Sequence, residues 1–306
     1  MVYLTCRVPD GAEGQCLDTF LRRQGLSAGL LRAVKHEAGG FFADGSPIHT
    51  NMPVHAGQRL WFALPPEPAT TGAPQPVEFA VRYEDAFAAV LDKPAGLAVQ
   101  NARIGTMDME SALKNYMAQK NPNEIPYLGI ISRLDQPVEG ILVFAKSSQS
   151  AAGLNRQMEK NEIEKIYLAV SDREPAPKEG ALEDYLKKDG RNNTSAVTLP
   201  GTKGAKKARL SYCVLETLSD QRTETGIRCL IQIRLDTGRH HQIRVQLSHA
   251  GAPLLGDKKY YPQDSSGFSL GLCAAKLSFR HPGSGKKMEF QTVPRGNAFE
   301  GFAIET

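Results

Sequence analysis

Ser132–Lys146, SRLDQPVEGILVFAK, joins a short polar turn to a strongly apolar run that predicts a strand. Asp135 is followed by Gln136–Pro137, a pair typical of a turn, so we expect the Asp135 carboxylate to lie at the mouth of that strand. An aspartate in such a turn is most often a cap or a turn-former. A chemical role for Asp135 therefore needs support from a second part of the chain.

That second part is RLDTGRHHQIRVQLSHAGAPLLGDKKYY, Arg234–Tyr261. The pattern predicts a strand that ends before Gly238, followed by a helix with Arg239 and Arg244 in its first turns. A guanidinium within about 4–6 Å keeps a buried aspartate ionised. Either arginine is a candidate partner for Asp135, and the pattern does not choose between them.

The large C-terminal region alternates long strand-like runs with fewer helical patterns. Helices are predicted at Ser111–Lys120 and Ser147–Lys160, and the strand-like runs are FAAVLDK, GILVFAK, IYLAV, RLSYCVLETL and IRCLIQIRL. Strands outnumber helices and many connections look like hairpins. We therefore predict an α+β domain with a large mixed, mainly antiparallel sheet rather than a doubly wound fold.

Pro65–Pro76, PPEPATTGAPQP, predicts a semi-rigid linker between two domains, residues 1–64 and 77–306. The small N-terminal region predicts two helices, Leu17–Gly25 and Ser27–Gly40, with Ser27 as the N-cap of the second, then an Asp44–Gly45 turn and a closing strand. Basic side chains project from both helices, namely Arg22, Arg23, Arg32 and Lys35. They indicate either an RNA-binding surface or a solvated amphipathic helix pair without a ligand.

The composition excludes several classes of protein. The chain has 306 residues, with 41% hydrophobic, 23% charged and a formal net charge of +4, which is ordinary for a globular protein. It lacks an apolar run of about 20 residues and a signal peptide, so we expect a cytoplasmic protein without membrane contact. Its five scattered cysteines are expected to be reduced.

Several catalytic signatures are missing from the chain. There is no GxxxxGK[ST] loop, no HExxH, no GxSxG elbow and no GxGxxG after a strand. His240 and His241 are adjacent, which is not a metal-ligand spacing on a helix face, so we expect no metal site. Any chemistry is expected to come from ordinary side chains.

Four blocks together resemble the RluA-type pseudouridine synthases. These are Tyr83–Gln100, Ser132–Lys146, Glu164–Val170 and Arg234–Tyr261, in that order, and the ending Phe279–Pro294 agrees as well. The resemblance implies the pseudouridine synthase fold and isomerisation of uridine in structured RNA. Because that reaction is not a redox reaction and consumes no energy, it also implies that no cofactor is needed.

The resemblance implies a role for each of several residues. Asp135 falls on the catalytic nucleophile, and Arg133 on the arginine that holds the RNA while the target nucleotide is out of the stack. Tyr167 falls on the tyrosine that packs against the flipped uracil and is the candidate proton acceptor. Arg244 falls on the arginine that pairs with the nucleophile, and Arg239 is the alternative. Attack on the base and attack on the sugar both stay open.

The chain departs from the usual HRLDxxTSG motif of this family. Ser132 replaces the histidine, Val138–Glu139 replace Thr-Ser, and Gln246 stands where a second histidine is common. Glu139 adds a like charge close to Asp135, and an inward-pointing Glu139 side chain would raise the pKa of Asp135 and weaken it as a nucleophile. We expect instead that Glu139 points to solvent or meets a basic side chain. Lys93 and Pro94 match the family's NKP turn, which implies a structural element near the cleft.

The N-terminal region resembles the alpha-L RNA-binding motif of a ribosomal small-subunit protein, in the order LDTFLR, a basic helix, DG and GQRLWF. This implies an RNA partner, either large-subunit ribosomal RNA or transfer RNA, and we expect a monomer. Two other functions stay open. One is an RNA-binding protein without catalysis. The other is a glycosidase that uses Asp135 and Glu139 about 5–9.5 Å apart, which the single tryptophan and the basic flanks disfavour.

Overall fold

The computed structural model describes residues 3–37, 39–63, 79–100, 108–121 and 127–304. The described residues divide into two units. One takes in parts of Met1–Glu78, Val99–Ile130 and Phe144–Ala151, and the other parts of Phe79–Ala98, Ile131–Val143 and Ala152–Thr306. Pro65–Pro76, the predicted linker, lies outside the described residues, so the predicted domain boundaries stay a prediction.

The N-terminal elements share one apolar core. They are strand β1 (Tyr3–Arg7), helices α1 (Leu17–Arg23) and α2 (Ala28–Glu37), and strands β2 (Phe41–Ala43), β3 (Ser46–Ile48) and β4 (Arg59–Ala63). The strands form an antiparallel sheet in the order β1-β4-β2-β3. Leu17, Phe20 and Leu21 of α1 join Phe41 and Phe62 of the sheet in this core. Burial of one face of each helix against the sheet therefore stabilises this region.

Two local predictions in this region are confirmed. The Ser27 Oγ accepts a hydrogen bond of 3.1 Å from the backbone N–H of Leu30, which is an N-cap of α2. Asp44 and Gly45 both have positive φ angles, +49° and +87°, between strands β2 and β3. Two such residues make the tight turn whose twist matches a hairpin.

The remaining elements are mostly strands. In chain order they are β5 (Ala80–Glu84), β6 (Ala88–Lys93), α3 (Met109–Lys120), β7 (Gly129–Ile130), β8 (Glu139–Ala145), α4 (Ser148–Glu159), β9 (Glu164–Ser171), β10 (Glu179–Asp189), β11 (Thr194–Thr198), β12 (Lys206–Ser219), β13 (Ile227–Leu235), α5 (Gln242–His249), β14 (Leu272–Arg280) and β15 (Lys287–Gln291). None of the helices within the described residues is long and apolar enough to cross a membrane.

These strands form one eleven-stranded sheet. Its order is β11-β10-β12-β13-β9-β14-β8-β6-β5, with β15 paired to β14 and β7 paired to β8. Strand β9 is antiparallel to β13 and β14, whereas β8 is parallel to β14. Every residue of β6 and β8 is buried, which explains the apolar runs of both strands. The predicted α+β fold with a mixed, mainly antiparallel sheet is confirmed.

One glycine is required where β8 and β14 pair. Gly140 has a φ of +124°, and a Cβ atom there would overlap the backbone of Ala274 on β14. An L side chain at this position would be strained both by the backbone conformation and by the close approach. Gly140 is the second residue of β8, so this close approach of β8 to β14 lies just after the Asp135 turn.

Candidate active site

Asp135 lies in the turn just before β8, as predicted. Its backbone carbonyl accepts a hydrogen bond of 3.0 Å from the N–H of Val138, which closes the turn at Gln136–Pro137. The Asp135 side chain is 25% exposed. The carboxylate is therefore partly buried, and the turn leaves one side of it open to a molecule in solution.

Arg244 makes the ion pair with Asp135. It lies in the first turn of α5, its side chain is only 5% exposed, and its Nη1 donates to Asp135 Oδ2 at 3.0 Å. Burial alone would lower the pKa of Arg244, but the Asp257 hydrogen bond and the charges of Asp257 and Asp135 raise it above its usual value. Arg244 is therefore a fixed positive charge beside Asp135.

Arg239 has a different place from the predicted one. Helix α5 begins at Gln242, so Arg239 lies before the helix and not in its first turn. The residue just before the helix, His241, has a left-handed conformation with φ +54°, and an α-helix cannot continue back through it. The Arg239 Nε donates to the backbone carbonyl of Lys207 at 2.8 Å, so the structure ties its guanidinium to β12.

Asp257 is the functional neighbour that the sequence reasoning missed. Its side chain is completely buried, and its two oxygens accept from Nε and Nη2 of Arg244 at 2.8 and 2.7 Å. Asp257 Oδ1 also accepts from the backbone N–H groups of Lys259 and Tyr260 at 3.1 and 3.3 Å. This bidentate contact between Arg244 and Asp257 leaves Nη1 of Arg244 to reach Asp135, and it fixes the direction in which Nη1 points.

A signal for Asp257 was present in the sequence. Gly256 and Asp257 form a Gly-Asp pair inside the block LLGDKKYY, and Gly256 has a φ of +71°. A Cβ atom on Gly256 would overlap the backbone of Ser269. A glycine needed for a close backbone approach, followed at once by a carboxylate, indicates a fixed position for that carboxylate.

His241 and Tyr260 complete the surroundings of Asp135. His241 Nε2 lies 3.6 Å from Asp135 Oδ2, and His241 Nδ1 lies 2.7 Å from the Tyr260 hydroxyl oxygen. The Tyr260 ring lies over the guanidinium of Arg244, with 5.2 Å between the guanidinium carbon and the ring centroid. Burial lowers the pKa of His241 to about 4, so this imidazole is neutral at neutral pH.

Tyr167 lies on β9, opposite Ile233 of β13, and its side chain is buried. Burial, together with the charges of Asp135 and Cys273, raises the pKa of the Tyr167 phenol well above its usual value. Among the described residues, the Tyr167 hydroxyl makes no hydrogen bond within standard distances. The structure thus places a neutral phenol within the electrostatic reach of Asp135.

Lys93 supports the turn that carries Asp135. It is completely buried, and its Nζ donates to the backbone carbonyls of Pro94, Leu97 and Gln136 at 2.9, 2.6 and 3.1 Å. Burial lowers the pKa of Lys93 to about 8, against the opposing charges of Asp135 and Glu139. The Lys93–Pro94 turn is thus attached to the residue that follows Asp135, which agrees with the structural element implied near the cleft.

The buried position of Lys93 predicts a specific pH dependence of stability. Its pKa is about 8 in the folded protein, below the usual 10.5. Between these pH values the unfolded chain binds more protons than the folded one, so this group makes the folded state more stable as the pH rises. We expect the free energy of unfolding of the natural protein, minus that of Lys93→Met, to increase from pH 8 to 10.5.

Urea denaturation of both proteins at several pH values within this interval measures that difference. The exposed variant Lys206→Met reports general effects of high pH. A difference that stays constant or shrinks as the pH rises would contradict a buried, destabilised charge on Lys93.

Glu139 meets a basic side chain and does not point to solvent. It is buried, and its Oε1 accepts from the backbone N–H groups of Arg295 and Gly296, both at 2.9 Å. Its Oε2 accepts from Arg295 Nε at 3.2 Å. The second form of the expectation for Glu139 is therefore confirmed, and its charge is compensated by groups from the C-terminal region.

The remaining predicted residues are on the surface. Arg133 is exposed two positions before Asp135, and Arg22, Arg23, Arg32 and Lys35 are exposed on α1 and α2. Arg22 pairs with Asp18 at 2.7 Å, and Arg23 donates to Gln15 at 3.0 Å. Within the part of the chain that the structure describes, no three His, Cys, Asp or Glu side chains are arranged as metal ligands.

The sequence of this chain is similar to those of known proteins. A model of the RNA pseudouridylate synthase family matches residues 88–249. A Chloroflexus aurantiacus protein named an uncharacterized RNA pseudouridine synthase is 33% identical over 296 residues, which covers 94% of this chain and 88% of that protein. The ribosomal large subunit pseudouridine synthase D of Xanthomonas campestris is 30% identical over 312 aligned positions, which covers 91% and 85%.

Solved structures show the same fold. Human RNA pseudouridylate synthase domain containing 4 superimposes with a TM-score of 0.56 at 21% identity, over 70% of this chain and 88% of that chain. Human RNA pseudouridylate synthase domain containing 1 gives a TM-score of 0.57 at 19% identity, over 73% and 86%.

Proposed function

Because the chain belongs to the RNA pseudouridylate synthase family, we propose that Asp135 is the nucleophile with which it converts uridine in RNA to pseudouridine. One observation carries this assignment: Arg244, itself held by the buried Asp257, donates to Asp135 at 3.0 Å in a turn that stays open to solution. Such a fixed and paired carboxylate is suited to attack a bound substrate and to leave again.

The chemistry needs only groups of this kind. The bond between C1′ of the ribose and N1 of the base breaks, a bond between C1′ and C5 forms, and a proton leaves C5 while N1 gains one. Asp135 lends an oxygen to a transient covalent bond and takes its electron pair back when that bond breaks. Atoms and electrons balance without an oxidant, whether the attack is on the sugar or on the base.

For Tyr167 we propose a packing role against the flipped uracil. A proton acceptor must give up its own proton first, and the raised pKa of the Tyr167 phenol disfavours that at neutral pH. A buried neutral ring beside Asp135 instead offers an apolar face to an extruded base. Arg133, exposed next to the Asp135 turn, is proposed to contact the phosphate backbone around that base.

We propose large-subunit ribosomal RNA as the substrate, with transfer RNA as the second candidate. The proposal is supported by relatives named ribosomal large subunit pseudouridine synthase D, at 30% identity from Xanthomonas campestris and 32% from Neisseria meningitidis. With such a substrate the protein acts in the cytoplasm, and we expect a monomer, which analytical ultracentrifugation checks.

The test incubates the purified protein with unmodified large-subunit ribosomal RNA, or with transfer RNA, each labelled with tritium at uridine C5. Release of tritium from the ribosomal RNA alone supports the proposal. Release from transfer RNA alone would move the substrate to the second candidate, and release from neither would contradict the catalytic function.

We also propose that residues 1–64 form an alpha-L-type RNA-binding domain. Support comes from its helix–helix–hairpin order and from the exposed basic residues of α1 and α2, namely Arg22, Arg23, Arg32 and Lys35. Exposed guanidinium and ammonium groups on one small domain are the groups that neutralise phosphates.

The variant Arg32→Ala/Lys35→Ala is expected to bind RNA more weakly, with little change in kcat. The slope of log affinity against log salt concentration becomes shallower by roughly 0.7–0.9 for each phosphate that the variant no longer neutralises. Fluorescence anisotropy over a range of salt concentrations measures the slope. Lys286→Ala/Lys287→Ala removes the same charge from an exposed hairpin and serves as the control. Equal slopes for both double variants would refute the role of α2.

The two alternative functions are less well supported. A glycosidase would need Glu139 to exchange protons with a sugar, whereas Glu139 is buried and bound by Arg295 and two backbone N–H groups. A binding protein without catalysis does not need an Asp135 that is both paired with Arg244 and accessible from solution. The family comparison favours the enzyme as well.

A further inference from the structure

Both groups that the protein directs at Asp135 approach the same oxygen. Arg244 Nη1 lies 3.0 Å from Oδ2, and His241 Nε2 lies 3.6 Å from the same Oδ2. Among the described residues, none makes a hydrogen bond to Oδ1. The carboxylate is therefore unsymmetrical, with one oxygen held by the protein and the other left for the substrate.

The hydrogen-bond partners of His241 bear on which ring nitrogen carries the hydrogen. Tyr260 oxygen accepts the backbone N–H of Ser195 at 2.8 Å, and it lies 2.7 Å from His241 Nδ1. A tyrosine hydroxyl has one proton to donate. Within the described residues, the only acceptor near that proton is His241 Nδ1. This arrangement favours donation from the Tyr260 hydroxyl to Nδ1, which in a neutral imidazole leaves the hydrogen on Nε2, facing Asp135.

The neutral state of His241 is supported by its surroundings. Burial lowers its pKa to about 4, Asp135 opposes this shift, and Arg244 and the stacked His240 strengthen it. Arg244 therefore supplies the positive charge, and His241 adds an N–H donor without a second charge. A donor of this kind holds an anion in place and leaves its charge available for attack.

We propose that His241 is a positioning residue for the reaction: Tyr260 fixes it as the Nε2–H tautomer, and together with Arg244 it holds Oδ2 of Asp135 so that Oδ1 attacks the nucleoside. The inference rests on the proposed function of Asp135. The electron pair of Oδ1 forms the new bond to carbon, and the displaced pair stays on the pyrimidine for attack on either the sugar or the base. The distance of 3.6 Å between Nε2 and Oδ2 exceeds a hydrogen bond, and the positioning role requires that it shorten when substrate binds, as catalytic hydrogen bonds often do.

Nitrogen-15 NMR of the histidine side chains tests the tautomer directly. The chain has seven histidines, and the signals of His241 are those that disappear in His241→Gln. The expected result is a neutral ring with the hydrogen on Nε2. A hydrogen on Nδ1, or a charged ring at neutral pH, would overturn the inference. The NMR result does not depend on turnover. It can therefore confirm the tautomer in a protein without activity, and it can reject the tautomer in a protein that is active.

Two substitutions of similar size test the positioning role. His241→Gln keeps an N–H donor and His241→Met removes it, and both place an unbranched side chain at the same positive φ. We expect His241→Met to lower kcat by about threefold to tenfold with KM unchanged, and His241→Gln to recover most of the loss. Equal kcat values for two folded variants would mean that the N–H donor has no role.

Tyr260→Phe tests the link to His241, because it keeps the ring over Arg244 and removes only the hydroxyl. We expect kcat to fall by about threefold to tenfold with KM unchanged. Tyr212→Phe is the matched control, since the Tyr212 hydroxyl donates to the carbonyl of Pro177 instead. A Tyr260→Phe protein with the kcat of the control would overturn the role of Tyr260.

Discussion

Asp135→Asn is expected to lower kcat by a factor on the order of 10⁴ or more, because a carboxamide oxygen does not act as a nucleophile in this reaction. The substitution keeps the size of the side chain and an oxygen that can accept from Arg244. The side chain at position 135 is 25% exposed, so the protein tolerates an uncharged amide there. Asp135 acts in the reaction step and does not hold the bound RNA. The affinity for RNA is therefore expected to stay within about threefold.

Release of tritium from uridine C5 measures the rate, and fluorescence anisotropy measures the affinity. Asp236→Asn is the control, since it makes the same chemical change at a partly exposed aspartate that pairs with Arg209. A tenth or more of the natural rate in Asp135→Asn would rule out Asp135 as the nucleophile. A parallel loss of RNA binding would mean that Asp135 acts in binding instead.

Arg244→Met is expected to have two separate effects. It removes the donor to Asp135, which lowers kcat by about 10²–10³, the effect typical of a fixed charge-stabilising donor. It also leaves Asp257 as a completely buried and unpaired carboxylate. Breaking a buried ion pair from one side destabilises the fold by about 3–5 kcal/mol.

A second substitution separates the two effects. In Arg244→Met/Asp257→Asn the buried charge is gone, and the new amide oxygen still accepts from the N–H groups of Lys259 and Tyr260. We expect the double variant to regain most of the free energy of unfolding, measured by urea denaturation, and none of the activity. Recovery of activity together with stability would contradict a role of Arg244 in the reaction.

Local patterns were enough to predict the elements that carry the site. The apolar run GILVFAK, the turn at Gln136–Pro137 and the Ser27 cap all follow from interactions between residues close in sequence. The choice between Arg239 and Arg244 did not follow from them. The left-handed conformation of His241 delays the start of α5. Histidine is enriched at positive φ among residues other than glycine, but this preference is too weak to locate such a residue in a sequence.

Contacts between distant residues were the least predictable. Glu139 is 156 positions from Arg295, and no local pattern indicates that they pair. Asp257 is 13 positions from Arg244, in a loop without periodicity, so its contact could not be placed on a helix or a strand. Such pairs depend on how the sheet brings loops together, which periodicity does not encode.

The most direct test of Asp135 as the nucleophile is a crystal structure of Asp135→Asn bound to its substrate RNA. We expect a uridine out of the stack, with C1′ or C6 about 3–3.5 Å from the side-chain atom at position 135 that faces away from Arg244. Arg244 would contact the other atom of the same group. A target uridine bound far from position 135, or one still stacked in the RNA, would contradict nucleophilic attack by Asp135.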